Sequence, residues 1–203
     1  MAKMKKIGIM GGTFNPIHFA HLILAENALQ QCTLDEIMFL PSGYPAYKEQ
    51  NEIAPDVDRL AMVQAAIKGN SSFYVSTLEL ERKGPTYTID TLEELHQKNK
   101  ADYYFILGGD SLFQIEQWKE CEKVMKLCHL VAAVRQQDGI FALEKRAEEL
   151  RKKYGAKITL LNTPYLDISS SMLRKRISLG HSIRYLLPEA VLSYIKEHKL
   201  YQK

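Results

Sequence analysis

Gly11-Gly12-Thr13-Phe14-Asn15-Pro16-Ile17-His18-Phe19-Ala20-His21 is the stretch whose reading decides the fold of this chain. Before it stands an apolar run, Ile7-Gly8-Ile9-Met10, with the character of a buried strand, and after it Leu22 to Leu29 has that of a helix. A strand-to-helix turn with two glycines lets backbone approach a ligand closely, because glycine has no Cβ and tolerates positive φ. The helix start offers N–H groups without intrahelical partners and the positive end of a dipole, which suits a phosphate. His18 and His21 can donate hydrogen bonds to the same anion. The turn therefore reads as a nucleotide-phosphate site.

Working outward, strands are expected at Lys6–Met10, Glu36–Leu40, Phe73–Leu80, Tyr103–Leu107, Leu130–Val134 and Lys157–Leu161. Helices are expected at Phe19–Gln31, Pro55–Lys68, Thr88–Lys98 with Thr88 as cap, Ser111–Ile115, Cys121–Lys126 and Leu143–Lys153. This alternation predicts an α/β fold, a Rossmann-like doubly wound, mostly parallel sheet covered on both faces. Ligands in such sheets bind outside the carboxyl ends of the strands. The glycine turn, Pro41-Ser42, Gly108-Gly109-Asp110 and Arg135 all follow an expected strand and should gather on that edge. From about Pro164 the pattern is helical. We expect one domain, with a core over about 1–163 and a small C-terminal helical subdomain over about 164–203.

The chain has 203 residues, 46% hydrophobic and 25% charged, which suits one sizeable α/β domain. A net charge of +3 gives no support to a nucleic-acid partner. Residues 1–134 are net −4, whereas residues 135–203 are net +7. The basic last third can supply cations to a polyphosphate, or simply form a solvated helix surface. Cys32, Cys121 and Cys128 have no metal-ligand spacing and make no even disulfide set, as expected in a reducing cytosol. No apolar run approaches bilayer length, and the one after the basic N-terminus is too short for a signal segment. A cytoplasmic protein without a membrane partner is expected.

Familiar phosphate and hydrolase motifs are absent. There is no G-x-x-x-x-G-K-[ST], no G-x-G-x-x-G and no G-x-S-x-G. His18 and His21 are three apart, with no third metal ligand nearby in sequence, so no protein metal ligand is assigned.

The turn closely resembles the G-G-T-F-D-P-x-H-x-G-H signature of the bacterial nicotinate-nucleotide adenylyltransferases, in the HxGH nucleotidyltransferase superfamily. The resemblance covers essentially the whole chain. It includes Pro41 to Lys48, Gly84-Pro85-Thr86-Tyr87-Thr88, Gly108-Gly109-Asp110, Trp118, Ile168 to Arg174 and Tyr185-Leu186-Leu187-Pro188. It implies transfer of the adenylyl group of ATP to nicotinate mononucleotide, giving nicotinate adenine dinucleotide and pyrophosphate, with Mg²⁺. It implies that His18, His21 and Arg174 act on the phosphates, with Ser169, Ser170 and Ser171 at a serine-rich helix start. Gly11, Gly12, Thr13 and Phe14 would line the nucleotides with backbone, and Lys48 would offset phosphate charge. Gly108 and Asp110 would meet a ribose, although Asp110 can equally cap a helix. Thr86, Tyr87 and Trp118 match the family's nicotinate pocket, and Arg135 matches a nucleotide-contacting arginine. A homo-oligomer is compatible with all of this.

Three positions depart from the signature. Ala20 stands for the glycine between the histidines, Asn15 for the aspartate, and Tyr47 for a histidine before the loop lysine. They keep two alternatives in view: an adenylyltransferase preferring nicotinamide or another mononucleotide, and a catalytically weak nucleotide-binding protein.

Overall fold

The computed structural model describes residues 4–45, 53–133 and 139–202. Lys48, Tyr47 and Arg135 lie outside the described residues. In chain order the elements are β1 (Lys5–Gly12), α1 (Phe19–Gln31), β2 (Glu36–Pro41), β3 (Tyr44–Pro45), α2 (Asp56–Ile67), β4 (Phe73–Val75) and β5 (Pro85–Thr86). They continue with α3 (Thr88–Lys98), β6 (Ala101–Gly108), α4 (Gly109–Gln114), a 3-10 turn at Ile115–Gln117, and α5 (Cys121–Leu127). The last are β7 (His129–Ala133), α6 (Ile140–Tyr154), β8 (Ile158–Leu161), α7 (Ser170–Ser178) and α8 (Glu189–Glu197).

Six strands pair in the order β4-β2-β1-β6-β7-β8, every pair parallel. Strand order runs one way from β1 to β4 and the other way from β6 to β8, so the switch point lies between β1 and β6. The register sets Gly12 beside Pro41 and Met10 beside Ile106. The glycine turn and Gly108-Gly109-Asp110 therefore leave neighbouring strands at the same carboxyl edge, as the alternation predicts.

Side-chain alternation explains why the sheet is covered twice. In β6, Tyr103, Phe105 and Leu107 join a cluster with Leu92, Leu95, Val124 and Leu143. Ile106, between them, faces the opposite cluster with Ala25, Ala28, Met62, Val63, Val191 and Ile195. The first cluster is closed by α3, α5 and α6, and the second by α1, α2 and α8. The C-terminal helices thus share a core with the sheet. No helix among the described residues is long and apolar enough to cross a membrane.

Two expectations change. The strand expected over Phe73–Leu80 stops at Val75, because Leu80 and Glu81 both donate to the Thr77 carbonyl in a turn (2.8 and 3.1 Å). This turn packs on Gly43, where a Cβ would lie 2.3 Å from the Glu79 carbonyl oxygen, so only glycine fits. Thr88 is not the cap of α3. The cap position is Tyr87, and Thr88 is the first helical residue.

The 3-10 turn is tied to α6 through one carboxylate. Glu116 accepts from Lys153 Nζ at 2.8 Å, from the Tyr154 hydroxyl at 2.6 Å and from Arg146 Nη2 at 2.6 Å. Those donors, Lys153 first, hold the Glu116 carboxyl down at about 2. A carboxyl depressed on folding stabilises the fold above its unfolded value and loses that contribution as pH falls toward the folded one. Glu116→Gln should therefore melt below wild type at pH 7. Thermal scans should show the gap closing as pH falls from about 4.5 to about 2.

Candidate active site

Strand β1 runs through Gly12, so the turn proper is Thr13 to His18. Phe14 takes a left-handed backbone, φ +49°, at a cost of roughly 1–2 kcal/mol for an L-residue. Its ring is buried between His21 (centroids 5.2 Å, edge-on) and Phe39 (6.0 Å), which offsets that cost. The Asn15–Pro16 bond is cis. His18 occupies the cap position of α1 with extended backbone, φ −149° and ψ 172°. His21 lies one turn on, and its Nδ1 accepts the His18 backbone N–H at 3.3 Å. In the neutral ring this leaves the proton on Nε2 as a donor. The two imidazoles lie 3.8 Å apart between centroids, 33° from parallel.

The turn is held from behind by three other parts of the chain. Arg59, with no exposed surface, donates from Nη1 to the Thr13 carbonyl (2.8 Å), from Nε to the Ala54 carbonyl (3.1 Å) and from Nη2 to the Gly43 carbonyl (3.5 Å). It also pairs with Asp56. Asn15, 4% exposed, accepts at Oδ1 from the Ala54 N–H (3.0 Å) and the Tyr201 hydroxyl (2.8 Å). Its carbonyl accepts from Arg174 Nη1 at 3.1 Å, and the Pro16 carbonyl accepts from the Ser170 hydroxyl at 2.9 Å. The Phe19 N–H, expected to be open at the helix start, donates instead to the Leu186 carbonyl at 3.2 Å.

In front of the turn is a cavity of about 800 Å³. Its walls carry Gly11, Gly12, Thr13, Phe14, His18, His21, Gly108, Asp110, Trp118, Ser169, Ser170 and Arg174, all singled out from the sequence. Trp118 stands edge-on to Phe105, 5.9 Å between centroids. Asp110 is in the first turn of α4, whose cap position is Gly108. Ser169 caps α7 through the Met172 N–H at 3.2 Å.

Three expected residues sit off these walls. The Ser171 hydroxyl is 3.2 Å from that of Ser169, on the exposed side of α7. Thr86 donates to the Tyr44 carbonyl at 3.2 Å. Tyr87 lies under the Lys119 ammonium, 4.7 Å from its ring centre, and packs on the same apolar cluster as Trp118. Lys48 and Arg135 fall outside the described residues. Of the departures from the signature, Ala20 lines the cavity, and Asn15 makes contacts that an aspartate oxygen would also accept.

Sequence reading missed Arg59, Phe105 and the segment 163–167, which forms one wall of the cavity. Arg59 had a signal: it falls in helical phase with Met62, Val63 and Ile67 on the apolar face of α2.

The sheet order, the turn and the cavity at the switch point define a nucleotide-binding α/β protein, and a family model described as cytidylyltransferase-like matches residues 9–176. The chain is 52% identical over 199 residues to the probable nicotinate-nucleotide adenylyltransferase of Lachnoclostridium phytofermentans, spanning 98% of this chain and 100% of that one. It is 44% identical over 203 residues to the protein of the same name from Dehalococcoides mccartyi, spanning 98% of each. It superposes on the Plasmodium falciparum nicotinic acid mononucleotide adenylyltransferase complexed with NaAD with a TM-score of 0.79, over 97% of each chain at 24% identity, a likeness of fold. The chain belongs to the nicotinate-nucleotide adenylyltransferase family.

Because removal of Arg59 strands several buried carbonyls, Arg59→Met should lower the unfolding free energy by about 3 kcal/mol. Urea titration followed by fluorescence of the lone tryptophan, Trp118, measures this.

Proposed function

We propose that this protein transfers the adenylyl group of ATP to nicotinate mononucleotide, releasing pyrophosphate and forming nicotinate adenine dinucleotide. The observation that carries this reading is the pair His18 and His21, adjacent at the start of α1 on the wall of a cavity that also holds Asp110, Trp118 and Arg174. The shared name of relatives up to 52% identical supports it.

The mononucleotide 5′-phosphate is already an anion, so it needs no base to attack. An oxygen of that phosphate forms a bond to the α-phosphorus of ATP as the bond to the β-bridging oxygen breaks. The obstacles are charge repulsion and alignment, which positioned donors overcome. His18 and His21 would donate Nε2–H to oxygens that gain charge, with Arg174 as a further cation. Backbone at Gly11, Gly12, Thr13 and Phe14 would admit the nucleotides closely, and Ser169 and Ser170 would add hydroxyls. Ser171 would support the same helix start. Gly108 and Asp110 would meet a ribose. Trp118 would stack on the pyridinium ring, whose charge suits an indole face. Thr86 and Tyr87 would approach the same ring from the adjoining segment, and Lys48 and Arg135 would complete the cationic rim.

Among the described residues no group of three or more His, Cys, Asp or Glu side chains could hold a metal by itself. The acidic oxygens on the cavity wall, Asp110 and Asp167, suit a hard cation that keeps phosphate and water ligands. Mg²⁺ carried by the triphosphate would neutralise charge on the leaving pyrophosphate.

With ATP and each mononucleotide in turn, pyrophosphate release should be fastest with the acid. His18→Ala should lower kcat by about 10²–10³-fold while Tm moves by less than about 2 °C; wild-type turnover in that variant would overturn the phosphate-site reading. Trp118→Ala should raise KM for the mononucleotide about tenfold and leave KM for ATP nearly unchanged.

A further inference from the structure

The last residues of the chain reach the turn that carries the histidines. After α8, the His198 and Leu200 N–H groups donate back to Tyr194 and Ile195 (both 3.0 Å), with Lys199 left-handed between them. This hooks the chain inward and packs Leu200 and Tyr201 on the cluster beneath α1 and α2. The Tyr201 hydroxyl then donates to Asn15 Oδ1 at 2.8 Å, across 186 positions. Burial pushes the phenol well above its ordinary range, so it remains a donor at any working pH.

We propose that Tyr201 is a positioning residue for the transfer reaction, acting through Asn15. The amide oxygen of Asn15 joins two donors from unrelated segments, the Ala54 N–H and the Tyr201 hydroxyl. The same residue's carbonyl receives Arg174, which lines the cavity. Asn15 is three residues before His18, and Phe14 before it packs edge-on against His21. A shift of the Asn15 side chain therefore moves the histidines and Arg174 together. Tyr201 does not itself line the cavity, whereas Asn15 does, so the hydroxyl acts on the site through Asn15 and its effect is on alignment.

This rests on the reading of His18 and His21 as phosphate donors, and the test separates the two. Tyr201→Phe deletes one oxygen and keeps the ring packed. The control is Tyr194→Phe, which removes a hydroxyl bond of equal length, 2.8 Å to Asp58, that joins α8 to α2 and makes no bond to the turn. Steady-state pyrophosphate release should show kcat of Tyr201→Phe reduced about tenfold, with KM for both substrates nearly unchanged, since small misplacements at a reacting centre cost that much or more. Tyr194→Phe should keep wild-type kcat. Both variants should show similarly small losses in urea unfolding. Wild-type kcat in Tyr201→Phe, or an equal loss in Tyr194→Phe, overturns the proposal. If His18→Ala abolishes turnover while Tyr201→Phe is normal, the phosphate site stands and only the positioning role falls. If His18→Ala is itself normal, the phosphate-site reading falls first.

Discussion

A guanidinium sealed from water has to be met by acceptors, and the arrangement around Arg59 follows from that requirement. Removing such a charge from water costs several kcal/mol unless good hydrogen bonds replace the lost hydration. Here the replacements come from Thr13, Gly43, Ala54 and Asp56, at the end of β1, after β2 and at the start of α2. The planar fork of arginine accepts little angular error, so these segments have one common solution. The Thr13 carbonyl points at Arg59. In a trans peptide the next N–H, that of Phe14, is directed the opposite way. The backbone of the turn is thereby polarised, with an oxygen toward the buried cation and an N–H on the other side.

The basic character of the last third resolves into particular pairings. Arg146 and Lys153 meet Glu116, Arg151 and Lys152 meet Glu148, and Arg184 meets Glu189. Among the described residues of that third, Arg174 is the cation on the cavity wall. The tail reaches the site largely through neutral groups: the Ser170 and Tyr201 hydroxyls and the Leu186 carbonyl. That carbonyl takes the Phe19 N–H, so α1 presents a more selective anion site than a helix end with all its donors open. The histidines make up the difference.

Apolar strand runs alternating with helical patterns, together with the glycine turn, made the parallel sheet and its ligand edge legible in the sequence. The serine-rich start of α7 was legible too, because a side-chain cap is a local device. Phe73–Leu80 misled because apolar residues around a tight turn can alternate as they do in a strand. Arg59 was missed because a charged residue in a helix is ordinarily solvated, and only its phase set it apart. The Asn15–Tyr201 contact has no local signature, since the pairing of residues so far apart exists only in the packed core. Thr86 and Tyr87 sit off the cavity walls, at and just after β5, which is held by its pairing with β3.

The hook after α8 also bears on how the protein is made. A ribosome delivers the chain from its amino end, so Asn15 of the glycine turn emerges 186 positions ahead of Tyr201. Their contact closes a loop of 186 positions, and contacts so far apart in sequence form late. The nascent protein can build its sheet, whose strands all precede residue 162, before that contact forms. The turn reaches its final alignment only once Tyr201 has emerged and folded inward onto Asn15.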